Sequence, residues 1–317
     1  MTVYFYSLPS WETIMDSFNF KHFLASLGAL SLEQRHGLGQ ALKGLEHAES
    51  ALQRCRCLGG RKTFNALTGT PLRRLRHKSK WLPYLKALLD SLTVRAAARE
   101  VSVHRTTSFR WGHRFLDWVK EDRPSHMQGI TEADETYMLE SIKGSHELPR
   151  PARKRGEAAK QRGTSKEQVC ILVARDRSGQ TLDFVTGRGP VSKAQLHECL
   201  APVLDRDGLL VSDGNPSYHY FAKEQGITHE AVTLKSGVRV RGAFHVQNVN
   251  AYHRRLRGWM ERFHGVATFY LPNYLGWRRA LDTHRLNTPA DLLLAAVGVF
   301  PHLTRTEPMN STPQELR

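Results

Sequence analysis

Cysteine is scarce in this chain, with four residues in 317, at positions 55, 57, 170 and 199. So few, so widely scattered, exclude a disulfide framework and fit a reducing compartment. Long apolar runs are missing too. The longest, Leu292 to Phe300, spans nine residues, against the ~20 that a membrane-crossing helix needs. The opening MTVYFYSLPSWE lacks the basic-then-apolar order of a secretory signal. Together these absences lead us to expect a soluble intracellular protein with no membrane partner. Acidic charge is in deficit, with 30 Asp and Glu against 46 Lys and Arg, a net charge of +16 and a pI near 10.0. That balance points to a polyanionic partner, most simply nucleic acid. No internal repeat breaks the chain into equal units, which removes solenoids and propellers.

At about 150 residues per domain the length suggests two domains, with room for a small third. The charge is unevenly placed. Residues 1–50 carry three basic and five acidic residues, residues 51–123 carry 17 and 5, and residues 124–317 carry 26 and 20. The middle segment is therefore the expected electrostatic footprint. We divide the chain into a helical N-terminal segment at 1–54, a basic DNA-binding region at 55–123, a catalytic domain at 124–280, and a C-terminal helical segment and tail at 281–317.

Within the basic region, Thr70 and Pro71 suit a helix start, and Arg73, Arg74, Arg76, Lys78 and Lys80 follow in a basic arm or helix. Residues 92–119 read as two helices around a turn at Ser102 to His104, with Val94, Ala97, Ala98, Val101, Val103 and Trp111 placed to pack between them. This is helix-turn-helix spacing, and it would offer Arg105, Thr106 and Arg110 to a major groove. An ordinary helical hairpin with a solvated basic face has the same pattern.

After Pro124 the pattern changes. Residues 130–138 alternate as a strand, 169–175 form a continuous apolar strand, TLDFV at 181–185 a third, 192–204 a helix, and 207–214 a short buried strand with an acidic exit. The expected order is β-β-β-α-β, an α/β domain. Asp134 lies inside one expected strand and Asp213 at the exit of another. A carboxylate in such a place is costly without a partner, and two on neighbouring strands would suit a divalent cation, which prefers oxygen ligands. The competing reading makes Asp134 a surface strand residue and Asp213 a turn or helix cap. Downstream, residues 246–263 form an amphipathic helix. Tyr252, Leu256, Trp259 and Phe263 lie on one stripe, with Asn250, Arg254, Arg257 and Glu261 roughly opposite.

The strings KTFNALTGTPL at 62–72, EADETY at 132–137, ARDRSGQTLDFV at 174–185, LVSDGNPSY at 210–218 and HVQNVNAYHRRLRGWMERFHGVATFYLPNYLGW at 245–277 resemble bacterial insertion-sequence transposases of the ISXO2-like branch. The likeness covers roughly residues 55–280. It implies an RNase H-like catalytic domain whose Asp-Asp-Asn or Asp-Asp-Glu triad uses Mg²⁺ or Mn²⁺ at a two-metal site to nick transposon ends and join them to target DNA. By motif, Asp134, Asp213 and Asn250 would be the triad and metal ligands. Arg257 stands where the family usually has Lys and would meet DNA, as would Arg73, Arg74, Arg105, Thr106 and Arg110. Glu135 and Glu261 are nearby carboxylates expected to be structural or solvated.

Family members often begin with a zinc ribbon of two Cys-x-x-Cys pairs, a tetrahedral site. Here only Cys55-Arg-Cys57 stands before KTFNALTGTPL, so no structural zinc is expected. The implied partner is double-stranded DNA, both transposon ends and target, bound by a homo-oligomer in the bacterial cytoplasm in association with the nucleoid. Two other functions compete with a strand-transferring enzyme: a decayed transposase acting only as a DNA-binding protein, and a nuclease acting on RNA or hybrids.

Overall fold

The computed structural model describes residues 55–56, 63–65, 67–153, 159–161, 163–232, 245–298 and 300. The helical runs expected within residues 1–50, and Cys57, lie outside them. The described residues fall into two compact units, one running up to Trp118 and resuming at Leu286, the other spanning Val119–Arg285.

The first unit begins with a two-stranded antiparallel pair, β1 (Cys55–Arg56) and β2 (Thr63–Phe64). Residues 71–74 form a turn and 75–77 have no regular structure, in place of the helix that Thr70 and Pro71 suggest. Arg74 and His77 adopt left-handed backbone angles, φ 60° and 57°, which no right-handed helix can contain. Three helices follow, α1 (Trp81–Leu89), α2 (Val94–Glu100) and α3 (Arg105–Leu116). The turn between α2 and α3 falls where the sequence places it, with Ser102 in the left-handed region at φ 51°. Thr93 accepts the Ala96 amide to start α2, and His104 Nδ1 accepts the Thr106 amide to start α3. Trp81 packs edge-on against Phe115, and Tyr84 against Trp111. The apolar run at 292–300 supplies α8 (Pro289–Ala296), opened by a Thr288/Asp291 capping box and packed on α1 and α3.

The second unit is a five-stranded mixed sheet covered by helices. Its strands are β3 (Ile130–Leu139), β4 (Gln168–Asp176), β5 (Thr181–Arg188), β6 (Leu209–Asp213) and β7 (Thr228–Val232), in the order β5-β4-β3-β6-β7. The β3-β4 and β4-β5 pairs are antiparallel, and β3-β6 and β6-β7 are parallel. Helix α4 (Lys193–Leu200) follows β5, so the expected β-β-β-α-β order is present. The sequence reading omits what comes next, α5 (Pro216–Gln225) and β7. Asn215 caps α5, Pro216 begins it, and Gly226 ends it at φ 69°. Helices α6 (Gln247–Glu261) and α7 (Leu271–Asp282) complete the unit.

Two apolar cores lie on the two faces of this sheet. Ala133, Cys170, Leu172, Ala174, Leu182 and Leu210 pack with residues of α4 and α5. Val169, Ile171 and Val173 pack with Val249, Tyr252 and Leu256 of α6 and with α7. On the second face a buried ion pair joins Arg279 of α7 to Asp183 of β5, and the Tyr252 hydroxyl donates to the same carboxylate at 3.0 Å. Gly276 lets α7 lie directly on the backbone of Lys120, where an added Cβ would stand 2.4 Å from the Lys120 Cα. Among the described residues, no helix is long and apolar enough to cross a membrane.

Candidate functional site

Strands β3 and β6 run parallel with Ala133 opposite Ser212, so the residues that follow, Asp134 and Asp213, stand level on adjacent strands. Asp213 ends β6, and its Oδ1 accepts the Asn215 amide at 3.2 Å. Asn215 in turn caps α5 through a 3.0 Å bond to Ser217, so a strand exit and a helix start fix this carboxylate. Asp134 Oδ1 accepts the Glu135 amide at 2.8 Å. The pleat sends Glu132, Asp134 and Thr136 toward α6, where Glu132 and Thr136 accept hydrogen bonds and Asp134 faces His253. One carboxylate oxygen from each of Asp134, Glu135 and Asp213 lies within 4.8 Å of the others. Glu135, expected to be structural or solvated, thus belongs to the cluster, while Glu261 is exposed at the far end of α6.

The cluster is electrostatically loaded. Burial, then the neighbouring Asp213 charge, pushes the Asp134 carboxyl up to about 6. Burial also pushes Glu135 up to about 7, with Asp213 and Asp134 adding to the rise. Glu135 Oε1 and the hydroxyl of fully buried Tyr218 are close enough to interact, yet neither meets hydrogen-bond geometry with any partner among the described residues. A half-buried group of carboxylate oxygens with one orphaned oxygen suits a hard divalent cation, which would relieve the repulsion that protons otherwise relieve.

Helix α6 supplies the other side. His253 is buried, its Nδ1 stands 3.8 Å from Asp134 Oδ2, and burial lowers its pKa to about 4. Asn250 is exposed one turn before it, and Arg257 one turn after. Arg257 donates from Nε and Nη2 to Thr136 Oγ1, at 2.9 and 2.6 Å. The start of α6 is held by Glu132, fully buried on β3, which the sequence reading did not single out. Its Oε2 accepts the Asn248 and Val249 amides at 2.8 and 3.1 Å, and its Oε1 accepts Asn248 Nδ2 at 2.9 Å. Arg177 Nη2 lies 3.3 Å from the same Oε1.

The remaining expected site residues belong to the first unit and take no part in this cluster. Arg105, Thr106 and Arg110 are exposed on one stripe of α3, together with Phe109. Arg73 and Arg74 are exposed on the preceding turn. Arg114 ties that turn to α3, donating to the carbonyls of Pro71 and Arg73. Burial first, then the Arg73 and Arg110 charges, lower the Arg114 pKa against the opposing pull of Asp117.

Residues 126–278 match the model of the ISXO2-like transposase domain. No curated protein matches the chain by sequence. Among solved structures, the chain is similar to a pre-cleavage Mos1 transpososome, at 14% identity over 68% of this chain and 78% of that one, with a TM-score of 0.23. It is similar to the Mos1 mariner paired-end complex with Mn, at 14% identity over 63% and 77%, TM-score 0.24. A simian T-cell lymphotropic virus intasome bound to a phosphatase regulatory subunit matches at 12% identity over 74% and 80%, TM-score 0.28.

Proposed function

From the match of residues 126–278 to the ISXO2-like transposase domain, we propose that the protein cuts the ends of an insertion sequence and joins them to target DNA. The observation that carries the reading is the level placement of Asp134 and Asp213 on parallel strands, with α6 packed on β3 beside Asp134 through His253 and Arg257. The strand order, with three antiparallel strands followed by two parallel to the first, supports an RNase H-like sheet.

In this reading Asp134, Asp213 and Asn250 hold Mg²⁺ or Mn²⁺ at a two-ion site, and the orphaned oxygen of Glu135 makes it an additional ligand. Bound there, such cations activate an attacking hydroxyl and stabilise the leaving oxygen of a phosphodiester. Thr136 orients the Arg257 guanidinium, whose exposed position suits a DNA phosphate. His253, held neutral above a pH of about 4, adds no charge to compete with the cations. The neutral carbonyl of Asn250 contributes less charge than a third carboxylate would, so metal affinity is modest.

The first unit serves recognition. Helices α2 and α3 form a helix-turn-helix that places Arg105, Thr106 and Arg110 in a major groove, while Arg73 and Arg74 meet phosphates. Joining two ends requires two catalytic centres, so the working form is a homo-oligomer on double-stranded DNA.

The test is nicking of a supercoiled plasmid carrying the element's ends in Mg²⁺, Mn²⁺ or EDTA. Wild type nicks at the ends only with metal, and Asp134→Ala and Asp213→Ala bind the ends but do not nick. Nicking by either variant would sink the site. Binding without nicking by wild type would favour a decayed, DNA-binding protein. Arg105→Ala with Arg110→Ala weakens end binding and flattens its salt dependence by about two charges; an unchanged slope would remove α3 from the interface.

A further inference from the structure

A helix ordinarily receives its N-terminal cap from the residue that precedes it, whose side chain accepts the amides of the second or third helical position. The residue before helix α6 is Val246, which offers no such group. The cap comes instead from Glu132, 116 residues earlier in the chain, whose carboxylate takes the Asn248 and Val249 amides and the Asn248 side chain. These amides are the second and third of the helix, and Asn250 is the next residue. Glu132 stands two residues before Asp134 on the same face of β3. One carboxylate therefore ties the strand bearing Asp134 to the first turn of the helix bearing Asn250. Every bond in the tie is short and fully buried on the Glu132 side, which is 0% exposed, so Glu132 has no oxygen to offer a metal. Its negative charge at the positive end of the helix strengthens the tie.

We infer that Glu132 is a positioning residue, which sets the distance between Asn250 and the strand carboxylates and thereby the metal affinity of the site. The inference rests on the metal-binding reading above. It is separable from a general structural role, because a residue that acts through Asn250 has nothing left to do once Asn250 is gone.

The experiment measures Mn²⁺ binding to the full chain by electron paramagnetic resonance of the free ion, in wild type, Asp134→Ala, Glu132→Gln, Asn250→Ala and the Glu132→Gln/Asn250→Ala pair. Gln keeps one acceptor but turns an amide toward Asn248 Nδ2 and Arg177. Wild type binds Mn²⁺ and Asp134→Ala does not. Glu132→Gln weakens binding about 10-fold to 100-fold, the range for groups that orient metal ligands. In the Asn250→Ala background the same change costs no more than about twofold. Wild-type affinity in Glu132→Gln, or losses that multiply in the double variant, would overturn the inference while leaving the metal site standing. No Asp134-dependent Mn²⁺ in wild type would overturn the functional reading itself, and Glu132's role with it. Should Glu132→Gln fail to fold by circular dichroism, Asn248→Ala removes the side-chain bond alone. The same comparison with Asn250→Ala then decides, a multiplying loss again being fatal.

Discussion

The two faces of β3 are built differently. Toward α4 and α5 the strand presents Ala133 and Tyr137, which join the cluster around Leu172, Leu182 and Leu210. Toward α6 it presents Glu132 and Thr136, each hydrogen-bonded to the helix, and Asp134, whose Oδ2 lies 3.8 Å from His253 Nδ1. The first is held mainly by non-directional contact, Glu135 apart, and the second mainly by hydrogen bonds of defined length. An apolar face tolerates repacking at constant volume; a polar one fixes where its members stand and fails when one partner is lost. Stability and function should therefore separate by face.

The largest expected effect tests whether the polar face is also structurally costly to break. Arg279→Ala leaves Asp183 buried beside Tyr252 without its cation and should destabilise by about 3–5 kcal/mol. Leu172→Ala on the other face should cost roughly 2–5 kcal/mol. Urea unfolding compares them, and a near-neutral Arg279→Ala would show the ion pair to be dispensable. Arg279→Met, which keeps volume without charge, should not rescue while Asp183 remains.

A middle-sized effect follows from the raised carboxyls. Asp134, lifted from 3.8 to about 6, binds a proton more tightly folded than unfolded. Its contribution to stability is thus full below pH 3.8 and falls away as pH rises toward 6. His253, lowered from 6.5 to about 4, works oppositely over the same interval, so the comparison must be made by substitution. Asp134→Asn should stabilise the metal-free protein at pH 7.5 by at most about 3 kcal/mol. It should also abolish the thermal upshift that Mn²⁺ gives wild type. Calorimetry at pH 5 and 7.5, with and without Mn²⁺, measures both; a destabilised Asp134→Asn would contradict the charge crowding.

The smallest effect concerns Thr136. Thr136→Val keeps the shape but removes the acceptor of Arg257, costing about 1 kcal/mol of stability while lowering nicking roughly tenfold. An unchanged nicking rate, measured at saturating Mn²⁺, would detach Arg257 from the chemistry.

What sequence periodicity could reveal follows the same division. Strands β3 to β6, α4 and the amphipathic α6 are legible because their side chains alternate or recur as burial requires. The α2-α3 turn is legible because small and branched residues flank Ser102. Helix α5 goes unread despite its Asn215-Pro216 start and Gly226 stop, since ten residues of mixed polarity carry little stripe. In α1 and α7, Pro83, Pro272 and Gly276 interrupt the pattern. Asp134 and Asp213 announce themselves by lying in apolar strands. Glu132 shares that placement but its partners are 45 to 117 residues away, and a tertiary cap leaves no local mark. Glu135 is not singled out as a ligand because strand alternation places it on the face opposite Asp134, although one of its carboxylate oxygens lies within 4.8 Å of oxygens of Asp134 and Asp213.

Gly276 shows how a substitution scale can mislead. Glycine weakens a helix interior by roughly 0.5–1 kcal/mol relative to alanine, so a stabilisation campaign would choose Gly276→Ala early. A methyl at that point has nowhere to go but into the main chain of residue 120, and main chain does not rotate aside. The helix would lift and carry Arg279 with it. An intended improvement would arrive as a loosened ion pair three residues along the helix, and a screen that scored each position alone would blame the wrong one.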